Sequence, residues 1–245
     1  MTAVTAYFED MAEPVVPPRV PVNRGSGSRR GPERSHPALQ RIFVTGNPIH
    51  EVLSYYAPQI NASDALSRFD VQSGRFFLLT MHRAENVDEP DRLARLVDAV
   101  LRVSTEHDLP VLFSVHPRTA DRLRRAGLEP DGSRIRLLEP LGFFDFVKLE
   151  REARAVISDS GTVQEECAIF RVPTVTIRDV TERPETLECG SNILSGADPD
   201  AVSRAMQLVL ELPAEWIAPP EYETPGVSRI VSRLVLGRLS LRRHQ

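Results

Sequence analysis

From residue 41 onward, short apolar runs alternate with stretches whose apolar residues recur every three or four positions. The runs RIFVTG, RFFLLT, PVLFSV, RIRLLE, ARAVIS and PTVTIR are rich in β-branched and aromatic residues and predict strands. Between and after them, PDRLARLVDAVLRVS, RTADRLRRAG, DFVKLEREA, TVQEECAIF and DPDAVSRAMQLVLEL keep the three- and four-residue spacing of amphipathic helices. Strand and helix in alternation, joined by short links, predict an α/β fold: a Rossmann-like parallel sheet with helices on both faces. In such a sheet the ligand lies beyond the carboxyl ends of the strands. Near the C-terminus, Val227, Ile230, Val231, Leu234 and Val235 in GVSRIVSRLVLGRL form one broad apolar helical face.

Residues 11–40 break the pattern. They are dense in Pro, Arg, Gly and Ser, show neither period, and cannot bury enough surface to offset the entropy of ordering. Two regions are therefore expected: a disordered tail over residues 1–40 and one folded domain over residues 41–245. A solvated tail is favoured over a basic partner-binding arm or upstream GC-rich DNA read as protein.

Composition narrows the function. The chain has 245 residues, 41% apolar and 26% charged, with a formal charge of -4 and a pI near 5.9. It offers no general basic field for nucleic acid or anionic lipid. Lys148 is the sole lysine among 30 basic residues, which fits codon usage in a GC-rich genome better than an arginine-specific role. Cys167 and Cys189 are too few for a disulfide framework or a zinc site and read as core or near-site thiols of a reducing compartment. A cytoplasmic protein with no membrane span, no metal and no cofactor is expected.

The candidate chemistry sits at the strand ends. TMHRAEN places His82 just after RFFLL, where an imidazole can bind phosphate or exchange a proton, or merely satisfy loop carbonyls; Arg83, Glu85 and Asn86 fit a local ion-pair cluster equally well. SVHPRT repeats the arrangement with His116 and Arg118, and Pro117 favours a structural loop there. SDSGTVQEE carries a stronger signal. Ser160 and Gly161 let backbone approach an anion at a helix N-terminus, and Glu166 can accept both hydroxyls of a ribose. Thr162 and Glu165 also fit the Ser/Thr-x-x-Glu capping box. In RDVTERPE, Pro184 suits a first helical position and Arg183 presents a fork suited to a diphosphate, while Arg178, Glu182 and Glu185 lace the loop.

In this order, TMHRAEN, HPRT, EPLGFFDFV, SDSGTVQEE and RDVTERPE resemble the non-hydrolysing UDP-N-acetylglucosamine 2-epimerase family, from about Arg41 onward and in its second half only. The resemblance implies one half of a glycosyltransferase B-type arrangement. It implies interconversion of UDP-GlcNAc and UDP-ManNAc by elimination and re-addition of UDP, in nucleotide-sugar metabolism serving cell-surface polysaccharides. Carried over by position, His82 is the catalytic histidine, Phe146 lies near the uracil, Ser160, Gly161 and Glu166 contact phosphate and ribose, and Arg183 contacts the diphosphate. Arg83 and His116 fall where some bacterial members bind a second substrate molecule as activator. Two departures stand out: Thr162 replaces a second glycine and crowds the diphosphate turn, and Ala84 replaces a second arginine.

The partners so implied are a UDP-sugar, a separate N-terminal half and a second copy through self-association, the chain being read as a truncated or split form. The closing helix of the family crosses onto the first half, so its apolar face is expected to lack cover. The rival readings are a glycosyltransferase half, told apart by transfer to an acceptor, and a non-catalytic UDP-sugar-binding module, told apart by binding without turnover.

Overall fold

The structure is a computed structural model that describes residues 43–242, with side chains described as far as residue 237. The chain divides into units of residues 1–44 and 45–245. The tail expected over 1–40 lies outside the described residues.

Six parallel strands form one sheet in the order β3-β2-β1-β4-β5-β6. They are β1 (Phe77–Thr80), β2 (Val111–Ser114), β3 (Ile135–Leu138), β4 (Ala155–Ser158), β5 (Thr174–Thr176) and β6 (Asn192–Leu194). The eleven helices among the described residues are α1 (Ile49–Tyr55), α2 (Ala57–Ala62), α3 (Ala65–Arg68), α4 (Ala84–Val87), α5 (Pro90–His107), α6 (Pro117–Ala126), α7 (Phe143–Glu152), α8 (Gly161–Phe170), α9 (Pro184–Glu188), α10 (Pro199–Glu211) and α11 (Val227–Arg242). The α/β class predicted by the alternation is the one observed.

Strand side chains alternate between two cores, as the two-residue period requires. Phe77, Leu79, Val111, Phe113, Ala155 and Ile157 pack with Leu93, Leu96 and Val100 of α5 and Val202 and Met206 of α10. Phe76, Leu78, Leu112 and Val156 face the other way, onto Leu149 of α7 and Val163 and Cys167 of α8. Helices α1 and α2 add an outer layer on Val147 of α7 through Ile49, Leu53 and Ile60. Helix ends follow local chemistry: Pro90, Pro117, Pro184 and Pro199 occupy first-turn positions, Asp198 accepts from the Ala201 amide, and Gly127 closes α6 at φ +65°.

One predicted strand is absent. The described part of RIFVTG, Phe43 to Gly46, forms no strand, and Val44 is 86% exposed. Val227 is buried while Ile230, Val231 and Val235 are exposed, so the apolar side of α11 lies open, as expected. No helix among the described residues is long and apolar enough to cross a membrane.

Candidate functional site

The sheet runs outward from β1 to β3, then returns to start β4 on the other side of β1. That reversal opens a crevice at the carboxyl ends of β1 and β4, the usual ligand position of a doubly wound sheet. Thr80 and Ser158 end the two strands in register, so the His82 loop and the Asp159-Ser160-Gly161 turn emerge side by side.

Asp159 locks these two loops together. It is fully buried, and its carboxylate accepts from the amides of His82 (3.0 Å) and Arg83 (2.9 Å) and from Asn86 Nδ2 (3.1 Å). His82 Nδ1 lies 3.2 Å from Asp159 Oδ1, which fixes the ring and directs Nε2 away from the carboxylate. Asn86 also donates to the Ile177 carbonyl and accepts from Arg92 Nε, and Arg92 reaches Asp179 at 2.9 Å. A continuous polar chain thus joins the ends of β1, β4 and β5.

On the β5 side, Arg183 is the N-cap residue of α9, and its guanidinium pairs with Glu165 of α8. The same guanidinium lies over the start of α8: a Cβ at Gly161 would sit 3.8 Å from Arg183 Cζ. A planar cation and a helix N-terminus therefore converge on one spot. Burial pulls the Arg183 pKa down, but Glu165 outweighs it and holds the guanidinium charged. Gln164 donates to the Ser160 carbonyl and accepts from Thr181, whose oxygen accepts the Arg183 amide; this ties the α8 start to the Arg183 loop.

Several sequence expectations change at this point. The Thr162–Glu165 capping box does not form: Ser160 is the N-cap residue of α8, and Glu165 is drawn off to Arg183 because a charged partner outbids a backbone amide. Glu85 braces its loop through Arg178 Nε at 2.8 Å, a partner from beyond the end of β5. Arg178 also grips Glu182 at 2.6 Å; burial lowers its pKa, yet the two carboxylates raise it overall. Arg83 lies close enough to Glu182 to help hold that carboxyl below the ordinary range, after the larger effect of Arg178.

The remaining candidates are placed as follows. Glu166 is almost wholly buried beneath the start of α8, and burial pushes its carboxyl up to about 8. Phe146, in the first turn of α7, packs partly buried against the α7–α8 core. Next to it, Tyr56, Phe143 and Phe144 form an aromatic group with centroids 5.4 to 6.0 Å apart, which periodicity did not single out. His116 stands one strand further out, where its Nδ1 caps α6 by accepting from the Arg118 amide at 3.3 Å. Asp159, Glu165 and Gln164 escaped residue-by-residue reading because their partners lie 17 to 77 positions away.

A family model described as UDP-N-acetylglucosamine 2-epimerase matches residues 34–230. A curated UDP-N-acetylglucosamine 2-epimerase from Methanocaldococcus jannaschii is 37% identical over 204 residues, covering 81% of this chain and 56% of its own length. Its counterpart from Methanococcus maripaludis is 33% identical, at 81% and 55%. The crystal structure of the M. jannaschii enzyme in complex with UDP-GlcNAc and UDP matches with a TM-score of 0.72 at 36% identity, over 80% of this chain and 55% of that one. The Rickettsia bellii enzyme matches at 0.72 and 31%, over 80% and 53%. The chain spans about half the length of the curated relatives it matches.

Proposed function

The chain belongs to the UDP-N-acetylglucosamine 2-epimerase family, and from that premise we propose that it forms the UDP-binding half of a 2-epimerase, acting on UDP-GlcNAc and UDP-ManNAc. The observation that carries the reading is the convergence of Arg183, the α8 N-terminus and the Asp159-locked His82 loop on the β1–β4 crevice. Ser160, Gly161 and Arg183 take the diphosphate, Glu166 the ribose hydroxyls, and Phe146 lies toward the uracil. His82, its Nδ1 turned to Asp159, offers Nε2 to the sugar-diphosphate oxygen.

In the proposed reaction a base removes the carbon 2 proton as the bond from carbon 1 to the diphosphate oxygen breaks, giving a 2-acetamidoglucal and UDP. UDP then re-adds to carbon 1 with protonation of carbon 2 from the opposite face. Carbon 2 has no adjacent carbonyl, so the departing diphosphate carries the developing charge, and fixed positive groups around it lower the barrier. That is the contribution assigned to this half.

In titration calorimetry with UDP, Arg183→Ala should weaken binding by about 1.5 to 3 kcal/mol, the range for a hydrogen bond to a charged group. Arg183→Lys should recover only part, since a point charge cannot match a fork. Unchanged affinity in the alanine variant would remove the diphosphate assignment.

Two partners belong to the same reading: a first-half domain facing this crevice, and a second copy of the chain meeting the open apolar side of α11. Sedimentation velocity should show the mean mass rising with concentration, and Val231→Glu should suppress the rise. A mass that stays monomeric throughout excludes self-association.

A further inference from the structure

Between α7 and α8 lies a carboxyl pair, one member of which, Glu150, the diphosphate site leaves unexplained. Glu150 of α7 is fully buried, and Glu166 of α8 nearly so. Glu150 reaches Cys167, the residue after Glu166 on α8, so the two carboxyls are neighbours, and the charge of Glu166 bears on Glu150. Glu150 Oε1 accepts from Cys167 Sγ at 3.4 Å, while Glu150 Oε2, equally buried, finds no donor. An unpaired carboxylate oxygen out of water is costly, and two adjacent carboxylates out of water more so. Both costs vanish if Oε2 carries a proton, because the orphan acceptor becomes a donor to Glu166.

We propose that Glu150 is a positioning residue: a neutral carboxyl that donates its O–H to Glu166 and turns the free edge of the Glu166 carboxylate toward a vicinal diol. This rests on the reading that Glu166 takes the ribose. Two hydroxyls donating to one group need an ionised carboxylate, whose roughly four lone-pair sites can accept them beside the Glu150 O–H, and a buried side chain adjacent to another acid would otherwise rotate or stay protonated. Burial first, then the Glu166 charge, raise the Glu150 carboxyl well above the ordinary range, which favours the protonated form that the unpaired Oε2 calls for. Burial leaves the Glu166 carboxyl at about 8 even with the hydrogen bond from Glu150, which favours its charged form; two ribose donors act in the same direction, so the carboxylate is completed when the diol binds. Cys167 completes the arrangement as an inert thiol: burial and the neighbouring Glu150 push its pKa up, so it remains a donor.

The test compares the affinity of the full chain for UDP with that for 2′,3′-dideoxyuridine 5′-diphosphate, which lacks the diol. The ratio cancels general damage to the fold. The wild-type chain should prefer UDP by about 10-fold or more, the lower end for even one hydrogen bond to a charged acceptor. Glu166→Ala should bring the ratio to about one. Glu150→Leu should reduce it about 3-fold or more, and Glu150→Gln, whose amide still donates, should keep it within about 2-fold of wild type. Should the leucine variant fail to fold, Glu150→Asp, one methylene too short to reach, takes its place. A wild-type ratio in the leucine or aspartate variant, with the ratio lost in Glu166→Ala, overturns the role of Glu150 and leaves the ribose assignment standing. A ratio unaffected by Glu166→Ala overturns the ribose assignment, and the role of Glu150 with it.

Discussion

Asp159→Ala should cost the protein about 3 to 5 kcal/mol of folding stability, the range for removing one partner of a buried charged network. The carboxylate accepts from two loop amides, a buried side-chain amide and an imidazole, and it is fully buried. Each abandoned donor carries a desolvation penalty of about 1 to 3 kcal/mol. Asp159→Asn is a sharper probe. With its N–H group toward Arg83 N–H and Asn86 Nδ2 it faces donors, and turned the other way it meets His82 Nδ1, which can accept only as the Nε2–H tautomer. Asn86 cannot flip to compensate, because its Oδ1 already holds Arg92 Nε at 2.8 Å.

For a unit of about 200 residues, a loss of 3 kcal/mol corresponds to a fall in Tm of about 6 to 12 °C. Denaturant titration measures the loss directly. A change below about 0.5 kcal/mol, typical of an ordinary surface substitution, would show that Asp159 is not the lock between the loops. Ser158 next to it provides a contrast, since its hydroxyl caps only the Ser160 amide, at 2.9 Å.

How much of this could be read along the chain depends on the range of the forces involved. Strands β1 to β5 and helices α5 to α8 and α10 are each specified by a local period, and all emerge close to where the pattern places them. Strand β6 is three residues long, Asn192 to Leu194, too short for alternation to register. Helices α1 to α3 lie in a segment broken by Pro58, Ser63 and Asp64, where each piece is below the length at which helical spacing is distinct.

The site divides the same way. Pro184 at the first turn of α9 and the placing of Ser160 at the start of α8 are local statements, and both are found. Pairings are not local. Glu165 read as the partner of Thr162 in a capping box, and only the fold, by bringing Arg183 over Gly161, gives it a cation instead. Glu85 looked closest to Arg83 in sequence, but Arg178 arrives from β5, 93 residues on, with a buried fork that takes it. Asp159, in a motif already suspected, stayed hidden because nothing in SDSG announces that its partners are the amides of another loop.

Given UDP-N-acetylglucosamine in deuterium oxide, the 245-residue chain without a first-half domain should leave carbon 2 unexchanged, and a first-half domain from a relative, added in trans, should restore incorporation. Elimination needs a base over carbon 2, and the carboxylates around the crevice are already committed. Asp159 is buried under four donors, Glu165 is paired with Arg183, and Glu85 and Glu182 share Arg178. Glu166 is enclosed beside Glu150, and Glu185 accepts from Tyr222 at 2.8 Å. A carboxylate held by a cation is a weak base and is not free to approach a sugar ring. Positioned proton transfer contributes about 100- to 10,000-fold in rate, so its absence should bring exchange below detection by proton NMR. Glu85, half exposed and in the same loop as His82, is the carboxylate with the shortest way to the sugar should it swing free. Glu85→Gln is therefore the decisive control: exchange by the chain without its partner domain, abolished by that substitution, would make Glu85 the base and this domain an epimerase in its own right.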